Sequence, residues 1–407
     1  MSATRRTFLK SSLGLSASLS LGAVSPQLRA ASSASPMPRR DDGILIVIQL
    51  SGGNDGLNSV IPYEDDEYGR NRPTLRFRRE EVLPIGSDLG FHPEMTGLHR
   101  LFQEGLLSVV QGVGYPNPDG DHEASMRIWR TGELAPPARG PGWLGRAIDV
   151  LSDASPGSIP GVFVSGIQPT RTTLSERTVV PAIDSLNRIS LKAPLPSIRV
   201  GKDENKLMQN ARRATDEARN VGVRIENVLS SSGGGTRVEY PSFGFAEDLR
   251  TIAQIIKADI GVRVFSTELG GDGFGGFDNH ANQRDNHGAL LRQLSESVAA
   301  FVDYLSDSNL LDRVLLTTFS EFGRTVAENG RRGTGHASAA PMFMAGGGLK
   351  GGLIGDHPAL SGELENAGPA HHTDFRAVYA TLLDQWLGVD STSVLSEEFD
   401  YVDFLKS

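Results

Sequence analysis

The feature that most constrains the fold of this chain is the alternation of short apolar runs with segments of helical periodicity. Residues Ile44–Leu50 form a nearly continuous apolar, largely β-branched run, which is typical of a strand buried on both faces. In Ala289–Leu305, apolar side chains recur every three or four residues and predict an amphipathic helix. This alternation predicts an α/β fold with a mostly parallel sheet and helices on both faces. The other predicted strands are Leu106–Val110, Val162–Val164, Val262–Phe265, Val314–Phe319 and Met342–Met344, and the other predicted helices are Pro93–Glu104, Phe245–Ala258 and Thr373–Leu387.

The first 34 residues have the pattern of an export signal. Arg5 and Arg6 precede a modestly apolar stretch, Leu13–Val24, and small residues follow it. This order is typical of a twin-arginine signal and predicts a periplasmic or secreted protein. The apolar stretch is shorter than the roughly 20 residues that a membrane span needs. We therefore predict a signal peptide over residues 1–34 and one α/β domain over residues 35–407, with an inserted helical and loop segment around 200–240.

Charge and cysteine content narrow the possible partners and cofactors. The chain has 40 Lys and Arg residues against 49 Asp and Glu. Residues 1–34 hold four of the basic residues and no acidic one, so their removal leaves 36 against 49, a net charge of −13. This acidic balance argues against a nucleic-acid partner, because non-specific binding to phosphates needs a basic surface. Since the sequence has no Cys, a metal would have to be held by His, Asp, Glu or Asn.

Acidic and imidazole side chains follow several of the predicted strands. Asp55 lies in a glycine-rich loop after the first strand, Asp278 and His280 follow the fourth, and Glu321 follows the fifth. In sheets of this kind, ligands bind outside the carboxyl ends of the strands. These residues are therefore candidates for a shared site, although turn formation, helix capping and structural ion pairing are alternative roles for them.

Other polar residues lie close to these candidates in the sequence. If a helix begins near Asn279, His280 and His287 are seven residues apart and point in nearly the same direction. Arg324 follows Glu321 by three residues and either pairs with it structurally or orients it as a ligand.

Two further clusters combine carboxylates with imidazoles. Residues Asp119–Glu123 contain His122 and lie downstream of the second predicted strand. Residues His371–Asp374 precede a predicted helix, where Thr373 or Asp374 would serve as the N-cap. The sequence has no Gly-x-Ser-x-Gly elbow, no Gly-x-x-x-x-Gly-Lys-Ser/Thr loop, and no Gly-x-Gly-x-x-Gly after the first strand. These absences argue against an α/β-hydrolase triad and against nucleotide-dependent chemistry.

Several motifs carry a resemblance that runs nearly end to end. They are the twin-arginine leader, Gly52–Asn58, Gly275–Gln283, Phe319–Thr325 and Thr373–Arg376. Together they resemble the exported bacterial family catalogued as domain of unknown function 1501. Members of that family are similar in fold to the alkaline phosphatase and sulfatase superfamily, so the resemblance implies an alkaline phosphatase-like α/β fold.

The same resemblance implies a metal site. By position, Asp55 matches the first carboxylate of the superfamily, and Asp278 and His280 match its Asp and His group. Glu321 matches the strand-end acid, and His336 the last imidazole. The resemblance thus implies that these five side chains bind one or two divalent cations.

The chain departs from the superfamily pattern in two places. Phe322 stands where a superfamily enzyme has His, and Gly335 precedes His336 where many relatives of the family have Asp. Both departures reduce the number of ligands. Ser51 and Ser59 flank the first loop, and neither is marked as a nucleophile.

Two hypotheses follow from these observations. The first is an exported metal-dependent hydrolase-like protein that acts on a phosphate or sulfate ester, either a small molecule or a polymer. His122 and His287 are then candidates for proton transfer or for orienting the ligands, and Arg324 for binding an anionic oxygen or orienting Glu321. The alternative is a catalytically silent relative that acts as a binding or assembly component of the cell envelope.

Overall fold

A nine-stranded mixed sheet forms the centre of the protein in the computed structural model. The structure describes residues 42–183 except 138, 156 and 168, then 220, 222–225 and 227, and finally 237–271 and 276–406. The described strands are β1 (Ile44–Leu50), β2 (Val60–Ile61), β3 (Leu83–Pro84), β4 (Gly90–Phe91), β5 (Leu107–Gly114), β6 (Gly161–Val164), β7 (Ala182–Ile183), β8 (Val264–Leu269), β9 (Val314–Phe319), β10 (Ala340–Gly346), β11 (Gly352–Ile354), β12 (Leu364–Glu365), β13 (Gly368–Pro369) and β14 (Thr373–Asp374).

The order of strands in the main sheet is β11-β5-β10-β9-β1-β8-β6-β7, and β14 also pairs with β5. Strand β10 is antiparallel to both of its neighbours, and every other pairing in this sheet is parallel. Eight strands therefore run in one direction and one runs against them. The predicted α/β fold with a mostly parallel sheet is confirmed.

Helices cover both faces of this sheet. The described helices are α1 (Gly56–Ser59), α2 (Asp66–Asn71), α3 (Thr96–Gln103), α4 (His122–Thr131), α5 (Trp143–Ala154), α6 (Gly244–Lys257), α7 (Gln283–Asp307), α8 (Phe375–Thr381) and α9 (Ser391–Leu395), with short 3-10 turns at Arg171–Thr173 and Leu311–Arg313 and a π-helical segment at Leu382–Leu387. Two small sheets, β12-β13 and β2-β4-β3, lie outside the main one.

The alternation of side chains along β1 explains why both faces are covered. Ile46 and Ile48 pack into a core with α3, α6 and α7. Leu45 and Val47 point the other way and pack into a second core with α4, α5 and α8. A strand that is buried on both faces needs apolar side chains at nearly every position, which is why β1 could be predicted from a nearly continuous apolar run.

The predicted elements agree with the observed ones except at some of their ends. Strands β1 and β9 have the predicted bounds, whereas β8 begins two residues later than predicted and continues to Leu269. The predicted helix Thr373–Leu387 is α8 followed by the π-helical segment. Its N-cap is Asp374, whose carboxylate accepts a hydrogen bond from the backbone of Arg376, in agreement with the capping role.

The start of α7 differs from the prediction in a way that affects the site. The helix begins at Gln283, and Asn282 before it has the left-handed φ of 47°. His280 therefore precedes the helix, and the expectation that His280 and His287 point the same way is wrong. The backbone N–H groups of Asn282 and Gln283 donate to the carbonyls of Arg331 and Arg332, so a distant loop fixes the start of the helix.

Two segments for which the sequence makes a prediction lie outside the described residues. These are residues 1–34, for which a signal peptide is predicted, and most of the segment around 200–240. Within the part of the chain that the structure describes, no helix combines the length and the apolar character that crossing a bilayer requires.

Candidate metal centre

An open cleft of about 800 Å³ lies at the carboxyl ends of β8, β1 and β9. These three strands are neighbours and parallel, so the residues that follow them meet at one edge of the sheet. Gly52 and Glu321 lie at this edge, and Glu268 occupies the end of β8. One wall of the cleft is α4, and the other is the segment that leads into α7.

The carboxylate of Asp278 lies at the centre of a group of three imidazoles. Its Oδ1 is 3.0 Å from Nε2 of His280 and 3.0 Å from Nε2 of His336. Its Oδ2 is 3.4 Å from Nε2 of His122. The Asp278 side chain is 41% exposed, so this group is open to the cleft.

The other ring nitrogens of two of these histidines are held by backbone carbonyls. Nδ1 of His280 is 2.8 Å from the carbonyl oxygen of Thr334, and Nδ1 of His336 is 2.7 Å from that of Gly120. A carbonyl oxygen can only accept a hydrogen bond, so each Nδ1 carries the proton. In the neutral ring, Nε2 then has a lone pair, and this lone pair is directed at the Asp278 carboxylate.

His122 is held in the same orientation by a carboxylate. Its Nδ1 donates to Oε1 of Glu321 at 3.0 Å, and the same oxygen accepts from the backbone N–H of Gly52 at 2.9 Å. Glu321 is buried, so these contacts fix it firmly. The hydrogen bond to Glu321 raises the pKa of His122, although partial burial opposes the increase.

The electrostatics of the group favour an anionic Asp278 beside a neutral His280. Burial by itself would raise the pKa of Asp278, but the hydrogen bond and the charge of Arg324 are among the effects that outweigh it and hold the pKa below its usual range. Burial lowers the pKa of His280, even though Asp278 acts in the opposite direction. An electron-rich nitrogen therefore faces a negatively charged oxygen, and a cation between them would relieve the repulsion.

The donor set and its spacing fit a divalent metal ion. One ligand atom from each of His122, Asp278 and His336 lies within 4.8 Å of the other two. Atoms that bind one zinc ion at 2.0–2.2 Å lie about 3.0–3.5 Å from each other, which matches the contacts of Asp278 with the imidazoles. Metal-bound imidazoles also donate their other N–H to a carbonyl or carboxylate, as all three rings do here.

A comparison with protein families agrees with the sequence motifs. Residues 108–400 match the family described as a protein of unknown function (DUF1501). The chain belongs to this family. The matched range contains all four residues of the imidazole and carboxylate group, so the candidate centre lies within the DUF1501 region. The membership predicted from the motifs is confirmed.

Solved structures also show likeness to this DUF1501 chain, all at low identity. The C-terminal periplasmic domain of EcEptC from Escherichia coli is 11% identical, with 89% of both chains covered and a TM-score of 0.38. A protein in the alkaline phosphatase superfamily from Vibrio parahaemolyticus is 11% identical over 89% of this chain and 72% of that one, with a TM-score of 0.39. The PsFucS1 sulfatase from Pseudoalteromonas sp. is 11% identical over 89% and 71%, with a TM-score of 0.38. No curated protein matches the chain.

Arg324 has a different environment from the one expected. Its side chain is only 1% exposed, and it donates to Oδ1 of Asp278 at 2.8 Å and to the carbonyl of Gly53 at 2.7 Å. Its remaining hydrogen bonds run to the carbonyls of Gly52, Phe277 and Thr334. Arg324 thus orients Asp278 and cannot reach a substrate, and Glu321 is not among its described contacts. Both expected roles, binding an anion and orienting Glu321, are corrected.

Asp55 lies apart from the other expected ligands. Its two oxygens accept hydrogen bonds from Arg72 at 2.6 and 3.0 Å, and Gln283 donates to one of them as well. Burial would raise the pKa of Asp55, but the charge and hydrogen bonds of Arg72 outweigh it, so the pKa is lowered. The carboxylate is buried and does not line the cleft. The structure therefore replaces the expected metal-binding role with a structural ion pair.

His287 also lies outside the cleft. It is 1% exposed, and its Nε2 donates to Oδ1 of Asn54 at 2.9 Å. Burial lowers its pKa to about 4. A neutral buried ring without a path to the cleft does not transfer protons to a substrate there, so the expected acid/base role is corrected.

Phe322 packs directly against the candidate centre. Its ring is stacked on that of His336, with centroids 4.4 Å apart and an interplanar angle of 26°, and its centroid is 4.9 Å from that of His122. The residue that replaces an expected histidine thus restricts the rotation of two imidazoles.

Proposed function

We propose that this protein is an exported, metal-dependent hydrolase of phosphate or sulfate esters. One observation carries the proposal. Three imidazoles, each of which donates its Nδ1–H to another acceptor, direct Nε2 at one carboxylate in an open cleft. Export is part of the proposal because of the twin-arginine pattern in residues 1–34.

The proposed metal ligands are Asp278, His122, His280 and His336. Glu321 positions His122, and the carbonyls of the chain position the other two rings. A divalent ion held there supplies Lewis acidity toward the oxygens of an ester and lowers the pKa of bound water. Asp55 is not among the proposed ligands, since Arg72 and Gln283 already occupy its oxygens.

The openness of the site favours a catalytic over a structural metal. Structural zinc sites are closed by four protein ligands, whereas catalytic sites keep access to water or substrate. Asp278 is 41% exposed and lines a cleft of about 800 Å³, which is large enough for a small ester or one end of a polymer.

Metal analysis tests the proposed centre. We expect stoichiometric zinc or a similar divalent ion in protein purified from the periplasm, and its loss in the double variant Asp278→Ala/His280→Ala. The matched control is His371→Ala, which removes an imidazole that pairs with Glu365 at 2.8 Å outside the cleft and should leave the metal content unchanged. Equal metal in the wild type and the double variant would reject these ligands.

Turnover assays test the proposed reaction. A panel of aryl phosphates and aryl sulfates should reveal metal-dependent hydrolysis that the double variant lacks. The alternative, a silent component of the cell envelope, is favoured by Phe322, which stands in the place of a further ligand and packs on His336. A correctly folded, metal-loaded protein that hydrolyses no ester in the panel would support that alternative.

A further inference from the structure

One face of α4 lines the cleft with residues spaced four apart. His122, Met126 and Arg130 all contact the cleft and lie on one stripe of the helix. His122 is at the first turn, beside Asp278, and Arg130 is in the last turn. Their Cα atoms are about 12 Å apart along the helix axis, and helical side chains lean toward the N-terminus, so Arg130 leans toward the candidate centre.

A buried glutamine fixes the orientation of Arg130. Nε of Arg130 donates to Oε1 of Gln49 at 2.8 Å, and Nε2 of Gln49 donates in turn to Oγ of Ser51 at 2.6 Å. Gln49 belongs to the central strand β1 and is fully buried, so it cannot move to follow the arginine. The guanidinium is therefore held in place at the edge of the cleft by one of its nitrogens.

The two Nη groups of Arg130 remain available. They make no hydrogen bond and no ion pair with any residue that the structure describes. The charge of Arg130 is partly desolvated, because burial lowers its pKa while the more distant charges of Glu268 and Glu321 act in the opposite direction. An arginine keeps its charge in proteins, so a partly buried guanidinium without a paired carboxylate favours binding of an anion.

Arg324 provides the contrast that singles out Arg130. Both arginines lie near the same cleft, but Arg324 is buried and donates to Asp278 and to backbone carbonyls. Arg130 lines the cleft itself and has its planar pair of donors unused.

We propose that Arg130 binds the anionic oxygens of the substrate, a phosphate or sulfate group, through its two Nη nitrogens. The fork of a guanidinium matches two oxygens of such a group and forms two parallel charge-assisted hydrogen bonds. This assignment deepens the proposed ester hydrolysis and rests on it for the nature of the substrate. Binding of the free anion, however, can be measured without turnover.

Calorimetric titration of the metal-loaded protein with inorganic phosphate, and separately with inorganic sulfate, tests the assignment. We expect Arg130→Met to weaken binding of the preferred anion about 10- to 100-fold, as loss of hydrogen bonds to a charged group predicts. Arg130→Lys keeps the charge without the fork and should lie between the wild type and Arg130→Met. The control is Arg127→Met, on the same helix but outside the cleft lining, which should bind the anion like the wild type.

Several outcomes separate this inference from the proposed function. Metal content and circular dichroism are measured on every variant, so misfolding or loss of the ion is recognised. Anion binding by the wild type that Arg130→Met and Arg130→Lys both retain at full affinity would overturn the assignment, as would no binding of either anion by the wild type. Arg130-dependent anion binding without any ester turnover would uphold the assignment and reject the hydrolase.

Discussion

Asp55 and Asp278 both follow strands of the central sheet, and both have lowered pKa values, yet they lie in opposite kinds of environment. Asp55 is 2% exposed and meets Arg72 and Gln283, whose N–H groups are fixed donors. Its charge is balanced within the protein. Asp278 is 41% exposed, with one buried arginine on one side and three imidazoles on the other.

The comparison shows that the environment of a strand-end carboxylate depends on whether its partners donate N–H groups to it or direct lone pairs at it. Arg72 donates its N–H groups to Asp55, so the carboxylate needs no further cation. The imidazoles around Asp278 donate their Nδ1–H groups to Thr334, Gly120 and Glu321, so in the neutral rings the Nε2 lone pairs are directed at the carboxylate of Asp278. The charge of Asp55 is thus balanced by Arg72, whereas the arrangement around Asp278 favours binding of a cation.

The largest expected effect concerns the Asp55 region. Arg72→Met leaves Asp55 buried and unpaired, so we expect the free energy of unfolding to fall by about 3–5 kcal/mol in urea denaturation. Arg79→Met is the control, because Arg79 forms an exposed pair with Glu64 at 3.1 Å and such pairs contribute about 1 kcal/mol or less. If Arg72→Met cost no more than Arg79→Met, the structural role of Asp55 would be refuted.

A smaller effect is expected where Glu321 orients His122. Glu321→Ala removes the acceptor of His122 Nδ1, and loss of such an orienting group weakens metal binding about 10- to 100-fold. Competition with a chelator of known affinity measures the change. Glu365→Ala, which breaks the Glu365–His371 pair outside the cleft, should leave the affinity as it is. Unchanged affinity in Glu321→Ala would mean that His122 is not a ligand or needs no support.

The smallest effect, counted per pH unit, is a pH dependence of the buried region. Burial lowers the pKa of His287 to about 4 and that of His92 to about 3, while both titrate near 6.5 in the unfolded chain. Below pH 6.5 the unfolded state binds more protons, so stability is lost as the pH falls toward 4, by up to about 1.4 kcal/mol per pH unit for each histidine. Denaturation of His287→Gln between pH 6.5 and 4 should show a shallower loss than the wild type. The same pH dependence in both proteins would show that the pKa of His287 is not lowered in the folded state.

Much of the fold could be predicted because its strands are buried on both faces. Such strands consist mostly of apolar side chains, and the bounds of β1 and β9 were predicted to the residue. The start of α7 could not be placed, because the turn at Asn282 is fixed by carbonyls of a loop about fifty residues away. Because of that error, His280 and His287 were expected to point in the same direction, whereas they lie in separate environments.

The candidate site was predictable in part for the same reason. The ends of β8 and β9 brought Asp278, His280 and Glu321 to one edge, as expected for parallel strands. The ion pair of Asp55 with Arg72 could not be predicted, because Arg72 lies at the end of a short helix and belongs to no recognised motif. Arg130 was not singled out either, because no helix was predicted over residues 122–131, and only that helix places Arg130 on the same side as His122.

The central claim is that a divalent ion binds between Asp278 and its imidazoles. Anomalous X-ray scattering at the zinc edge, from crystals of the whole protein grown with zinc, measures this directly. We predict one strong peak about 2.0–2.2 Å from an oxygen of Asp278 and from Nε2 of His122, His280 and His336, with Asp55 remote from it. A cleft without a peak in the presence of saturating zinc, with the three rings still in contact with Asp278, would contradict it.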